Sequence, residues 1–428
     1  NMSEQWTRRD VMKTGAALGA AAMVSPAFAA RAARTGSDVI RIGVIGCGGR
    51  GTGAAANAFE ADAGTRVVAM ADLFGDRLSG SLDRLAGLEQ FKGRVDVPEE
   101  RRFVGFNAYK KLLALDDVDM VILATPPHFR PIHFEAAANA GKHVFMEKPV
   151  AVDPVGVRKV IAAGRVADSK NLSVVSGTQR RHQDNYLEMM DRIHNGEIGD
   201  VVGARAYWNQ GGLWVHERTD EYTDMEWQCR NWLYFAWLSG DHICEQHIHN
   251  SDVINWAKGG PPVKARGMGG RQVRTHEKYG NIFDHFAIDF EYPDGTPMLS
   301  MCRQTDGCAS KVAESIVGTK GRADCHHGFS AIEGPSGKWT RKGEINPYVQ
   351  EHVDLVASIR GNGTRLNEAK RVAESTLTAI MGRMSAYTGK EVTWEQAMNS
   401  ELDLSPAEYA FTSLEIRPVP TPGRTPLI

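Results

Sequence analysis

The first half of the chain alternates short, mainly apolar runs with stretches whose apolar positions recur every three to four residues. Residues 39–45, 66–71, 119–125, 143–146 and 172–176 are runs of strand length rich in Val, Ile, Leu and Ala, which predict buried strands. Between them lie helical patterns such as 132–140, stopped by Gly141. Pro126-Pro127 follows the third run, where neither helix nor ladder can continue. Strand and helix in alternation predict an α/β, doubly wound parallel sheet of the Rossmann kind. Its ligand site lies beyond the C-terminal ends of the strands. Those ends are Gly46, Asp72, Thr125, Glu147 and Lys148.

After residue 178 the texture changes. Residues 185–194 read as a helix and 200–208 as a strand with aromatic and charged alternation. Residues 283–292 and 298–303 flank a Pro293-Asp294-Gly295 turn and read as an antiparallel pair, with 313–318 as a further strand. Helical spacing returns at 351–359 and 367–387, and a Pro-rich tail closes the chain. Grouped strands with helices at the ends predict an α+β domain on an open, mainly antiparallel sheet. The divisions expected are an export segment at 1–30, a nucleotide domain at 31–178, a substrate domain at 179–395 and a tail at 396–428.

With 428 residues the chain is long enough for two or three domains. Its 52 acidic and 50 basic residues nearly cancel, so no basic field marks a nucleic-acid binder. No apolar run after residue 30 is long enough to span a bilayer. The N-terminus differs: Thr7-Arg8-Arg9-Asp10-Val11-Met12-Lys13 precedes an Ala-rich apolar run and Ala27-Phe28-Ala29. That order predicts a twin-arginine export signal and a periplasmic protein. An exported dinucleotide enzyme has no free nucleotide pool to draw on, so its cofactor is expected to be tightly held and regenerated within each cycle. The six cysteines include no C-x-x-C pair and read as free thiols.

The glycines after the first strand carry the first candidate chemistry. Gly46, Gly48 and Gly51 have G-x-G-x-x-G spacing, which serves a tight turn, close approach to a pyrophosphate and the start of a helix. Asp72 ends the second strand, where a carboxylate accepts the ribose hydroxyls of NAD and repels the extra phosphate of NADP. NAD is therefore expected over NADP, although Arg50 and Arg77 lie near enough in sequence to soften the repulsion.

The order of motifs resembles the Gfo/Idh/MocA oxidoreductases, the group of glucose–fructose oxidoreductase and inositol dehydrogenase. The resemblance rests on GCGGRG, the acid at 72, ATPPH at 124–128 and AGKHVFMEKP at 140–149. It implies cofactor contacts at Gly46, Gly48, Gly49, Arg50, Gly51, Asp72, Thr125, Pro126, His128, Glu147 and Lys148. It also implies that Lys148 reaches both the nicotinamide ribose and a substrate hydroxyl. The family's D-x-x-x-H arrangement falls on Glu245 and His249, aligned through Ser251-Asp252-Val253-Ile254. Four residues apart, they share one face if the segment is a single helix. An imidazole suits abstraction of a carbinol proton, with a carboxylate to orient it. His247 is the alternative base and a candidate substrate contact.

The cluster His242, Cys244, Glu245, His247 and His249 also offers metal ligands. Its i, i+2 histidines diverge on a helix and no second cluster completes a site, so no metal is expected. Trp208 and Arg230 lie in aromatic- and amide-rich stretches that suit a sugar or polyol, and the resemblance implies a residue touching cofactor or sugar in the stretch 179–186 that ends at Tyr186. The function expected is hydride transfer at a CH–OH group of a carbohydrate or polyol. An NAD-dependent glycoside hydrolase on the same scaffold is the alternative, and a sugar-binding protein with a vestigial nucleotide the non-enzymatic one. The broad second sheet predicts a homodimer or homotetramer.

Overall fold

The computed structural model describes residues 39–326 and 328–428, so the expected export signal lies outside the described residues. Six parallel strands form the first sheet: β1 (Ile40–Ile45), β2 (Thr65–Asp72), β3 (Arg102–Val104), β4 (Met120–Leu123), β5 (His143–Met146) and β6 (Val174–Ser176). Their spatial order is β3-β2-β1-β4-β5-β6, which reverses direction beside β1 and opens a crevice at the C-terminal ends there. Alternation along the strands explains why both faces are covered. Ile42, Val44, Ile122 and Phe145 feed one apolar core, and Val121, Leu123, Val144 and Met146 feed another.

The second sheet has nine strands in the order β14-β13-β12-β11-β7-β10-β9-β8-β15. They are β7 (Val201–Gln210), β8 (Lys264–Gly270), β9 (His285–Glu291), β10 (Pro297–Gln304), β11 (Lys311–Gly318), β12 (Arg322–His326), β13 (Phe329–Gly334), β14 (Gly337–Lys342) and β15 (Val392–Thr393). Among the described residues of this sheet only β7 and β10 pair in parallel, and β9 with β10 is the antiparallel pair expected around the Pro293-Asp294-Gly295 turn. The hairpins from β12 to β14 were not foreseen, because their short strands alternate with exposed charged residues.

Two C-terminal helices bind the halves together. Helix Pro347–Ile359 returns to the first sheet, adding Leu355 and Val356 to the core of Ile42 and Phe145. Helix Ala369–Thr388 is buried along most of its length, and its Ser385 hydroxyl accepts from the Gly267 N–H on β8 at 2.7 Å. A polar knot fixes the second sheet to the segment leaving the first. Glu314 on β11 accepts from the Arg180 guanidinium, the Tyr186 hydroxyl (3.0 Å) and the Asn250 amide. All four residues are almost fully buried. Removing one member of a buried ion pair strands the other charge away from water. Glu314→Ala is thus expected to lose about 3–5 kcal/mol of stability, read as a lower denaturant midpoint. A midpoint equal to wild type would show that Arg180 finds another partner.

Candidate active site

The crevice beside β1 begins at a turn that only glycine can make. Gly46 has φ of +97°, and a Cβ there would lie 2.4 Å from the Thr125 nitrogen. A Cβ on Gly51 would lie 1.8 Å from the Gly46 carbonyl oxygen, so helix Gly49–Ala61 can start this close to β1 only with glycine at that position. Gly48 and Gly49 face open space, and no side chain caps the helix. Its uncapped N–H groups and positive dipole end are suited to a pyrophosphate.

At the end of β2, Asp72 accepts backbone N–H groups on both oxygens, from Cys47 at 2.6 Å and Phe74 at 2.8 Å. Burial raises its pKa, and these two bonds oppose the rise. The carboxylate is thereby held in one orientation with lone pairs left for ribose hydroxyls. Gly46, Gly48, Gly49, Arg50, Asp72, Thr125 and Pro126 line one cavity of about 490 Å³. A dinucleotide fits this donor set: uncapped amides for phosphates, a fixed carboxylate for ribose and an apolar wall.

Three of the expected cofactor residues do other work. His128 is buried, with Nε2 2.8 Å from the Tyr409 hydroxyl, and does not line the cavity. Glu147 is also buried, and its carboxylate pairs with the Arg50 guanidinium instead of facing the cavity. Arg50 reaches Glu351 at 3.3 Å as well, so its charge holds the glycine turn against β5 and helix Pro347–Ile359. Gly51 provides close packing beneath the turn and lines no wall.

Lys148 extends from the end of β5 into the second domain. Its Nζ donates to the Glu245 carbonyl oxygen and lies 3.4 Å from the Glu245 carboxylate. The expected single helix is broken here: one turn, His242–Glu245, ends at Glu245, and helix Ile248–Lys258 starts three residues later. Glu245 and His249 therefore flank a joint rather than sit on consecutive turns. The His249 ring stacks on Trp208 of β7, centroids 5.9 Å apart and planes at 24°. Arg180 lies 5.9 Å from the same indole centroid.

The other substrate candidates each have protein partners. His247 turns into the sheet, where Nε2 lies 2.7 Å from the Ser300 hydroxyl and burial pushes its pKa down to about 3. It is a packing histidine. Tyr186 is fully buried in the Glu314 knot and touches no opening. Arg230 lines the nucleotide cavity, where its guanidinium sits 3.9 Å above the Phe74 ring and 3.1 Å from Asp76. Sequence reasoning missed Phe106, Tyr109, Phe129, His133, Trp214 and His216, which also line the cavity, together with Trp232 of the aromatic stretch that holds Arg230. The only signal for them was local aromatic density. Among the described residues no group of three His, Cys, Asp or Glu side chains is placed to hold a metal ion.

Two models of one family match this chain. "Oxidoreductase family, NAD-binding Rossmann fold" matches residues 40–176, and "GFO/IDH/MocA C-terminal domain" matches residues 186–324. Together they span well over half of it. The chain belongs to the Gfo/Idh/MocA oxidoreductase family. An inositol 2-dehydrogenase of Rubrobacter xylanophilus is 27% identical over 292 residues, covering 67% of this chain and 72% of that protein. A glycosyl hydrolase family 109 protein of Streptomyces coelicolor is 29% identical over 187 residues, 44% of this chain and 36% of the relative. The chain spans about half or less of the length of the first curated relatives it matches. Lactobacillus casei scyllo-inositol dehydrogenase, solved with NAD(H) and scyllo-inositol, superposes with a TM-score of 0.62 at 20% identity. That match covers 83% of this chain and 99% of the other, a likeness of fold.

Burial makes this region sensitive to acid. It pushes His128 down to about 4 and His133, His247 and His352 to about 3, against an ordinary 6.5. Below about pH 6.5 the unfolded chain binds these protons and the folded chain does not, so stability falls as pH drops from about 6.5 towards 4. Denaturant midpoints measured across that window should decline, and His247→Gln should flatten the decline. A decline in His247→Gln as steep as that of wild type would contradict the burial of that ring.

Proposed function

We propose that this protein is an exported NAD-dependent oxidoreductase that acts at a CH–OH group of a carbohydrate or polyol and keeps its cofactor through the catalytic cycle. The observation that carries the reading is Lys148, at the strand end beside the nucleotide crevice, bonded across the domain boundary to Glu245. A bound NAD supplies the hydride acceptor. Lys148 offers its ammonium to a substrate hydroxyl oxygen, and Glu245 fixes the direction of that side chain. His249, held by its stack on Trp208, takes the hydroxyl proton. Trp208, half-buried, presents a flat apolar surface suited to a sugar ring. The carboxylate at Asp72 favours NAD over NADP. The Arg8-Arg9 motif ahead of its Ala-rich run supports export to the periplasm.

A second reading, an NAD-dependent glycoside hydrolase, is favoured by the family 109 relative. The two differ in product: aglycone release without net redox change, or a substrate changed by two hydrogens. Incubating the purified protein, without added nucleotide, with a panel of glycosides and free sugars and weighing the products by mass spectrometry separates them. Neither product from any sugar would leave a sugar-binding protein. Lys148→Met is expected to keep fold and nucleotide but to lose at least about a hundredfold in turnover, the scale of a positioned proton-transfer group. His249→Ala should lose a similar factor, and near wild-type turnover in either variant removes that residue from the mechanism.

We also infer a homodimer or homotetramer. Met268, Leu299 and Val317 are exposed on the open face of the second sheet, where a second copy would cover them. A monodisperse monomer in light scattering would count against this.

A further inference from the structure

The nucleotide cavity has a roof built from the second domain. After β7 the chain crosses to the first domain, and Trp214, His216, Arg230 and Trp232 join Asp72 and Phe74 in lining the same cavity. Arg230 closes the contact between the halves. Its guanidinium lies over Phe74 and pairs with Asp76 at 3.1 Å, while its Nε is held by Glu226 at 3.0 Å. Arg77, one residue further along, lies 3.4 Å from His216. Both contacts join the segment just after Asp72 to the roof, so the roof sits at the adenosine end of the site.

A strap from the C-terminal tail braces this roof from behind, in a part of the chain beyond both matched family regions. Phe411 stacks on Phe74, centroids 5.9 Å apart and planes at 15°, and meets Phe106 at 5.3 Å. The Thr412 carbonyl accepts from Met225 N–H, and the Leu414 carbonyl accepts from the Gln228 amide at 2.7 Å. Asp224 accepts from Leu414 N–H at 3.0 Å and from the Ser413 hydroxyl at 2.8 Å. Tyr409 is anchored on His128. Phe74 thus carries Arg230 of the roof and Phe411 of the strap, and neither can move far without releasing it.

We propose that roof and strap form a clamp on the adenosine half of the cofactor, latched by Arg230 and Asp76, which must open before the nucleotide can leave. The proposal rests on the reading that a nicotinamide dinucleotide occupies this cavity. It accounts for Arg230, Trp214 and Trp232 in the wall of a cavity that Lys148 does not line, and for the packing of Tyr409, Phe411 and Leu414 against the same elements. Its energy comes from two sources. The Arg230–Asp76 pair is half open to solvent, so its contribution is modest and screened by salt. The Phe74–Phe411 stack is apolar and indifferent to salt.

The test is the rate at which nucleotide leaves. Wild type, Asp76→Lys and Phe411→Ala are loaded to saturation with NAD, diluted, and filtered at intervals, and the filtrate is assayed for nucleotide. Release should be several-fold faster for Asp76→Lys and at least about tenfold faster for Phe411→Ala, with melting temperatures showing all three folded. Raising the salt should speed release from wild type but not from Asp76→Lys, a response that general loosening would not give. Equal release rates in all three proteins would overturn the clamp, as would identical salt responses. Whether wild type is purified already loaded tests the retained-cofactor reading separately, because the comparison of rates holds either way.

Discussion

Arg50 is the knot on which the arrangement of this site depends. Its guanidinium binds Glu147 at the end of β5 and Glu351 on a helix some three hundred residues later in the chain. The glycine turn, the strand that delivers Lys148 and the C-terminal helix are therefore held at one point. Glu351 is fully buried, and burial together with the nearby Glu147 charge raises its pKa. Arg50 opposes both effects. An arginine in a glycine-rich turn would ordinarily be assigned to phosphate; here its charge is already shared by two carboxylates. The phosphate site then relies on the amides and dipole of helix Gly49–Ala61, an interaction that costs no buried side-chain charge.

The first domain was legible because its signals are local. Runs of Val, Ile and Leu and the glycine spacing placed β1, β2, β4, β5 and β6 within about two residues of where they lie. Gly46 and Gly51 could be read for the same reason: backbone sterics within one turn demand them. The place of Lys148 just beyond β5 was legible because a strand's end is a position that periodicity can locate.

The misreadings share a different cause. His247, Tyr186 and Arg230 were judged by residue type and neighbourhood, whereas their roles are set by partners distant in sequence. Ser300 receives His247, Glu314 receives Tyr186, and Asp76 receives Arg230. The break between His242–Glu245 and Ile248–Lys258 was hidden because every residue across it is tolerable in a helix. Asp241, with φ of +68°, accepts from the Phe283 N–H and the Tyr387 hydroxyl, and such long-range bonds set the path of the chain there. No window of sequence contains them.

The clamp and the proposed chemistry bear on each other through exchange. A dehydrogenase that trades its cofactor every turn needs an open adenosine end, because the nucleotide must leave faster than turnover. An enzyme that oxidises and re-reduces within one cycle has no such need, and a roof there removes a route of loss without slowing the reaction. The roof, with an arginine latch on one side and a folded-over tail behind it, suits the second case. Lys148, Glu245 and His249 lie outside the lining of the nucleotide cavity, so a covered adenosine end does not obstruct them. In the reading of a retained cofactor, such a clamp places the cost of retention on residues that take no part in the chemistry.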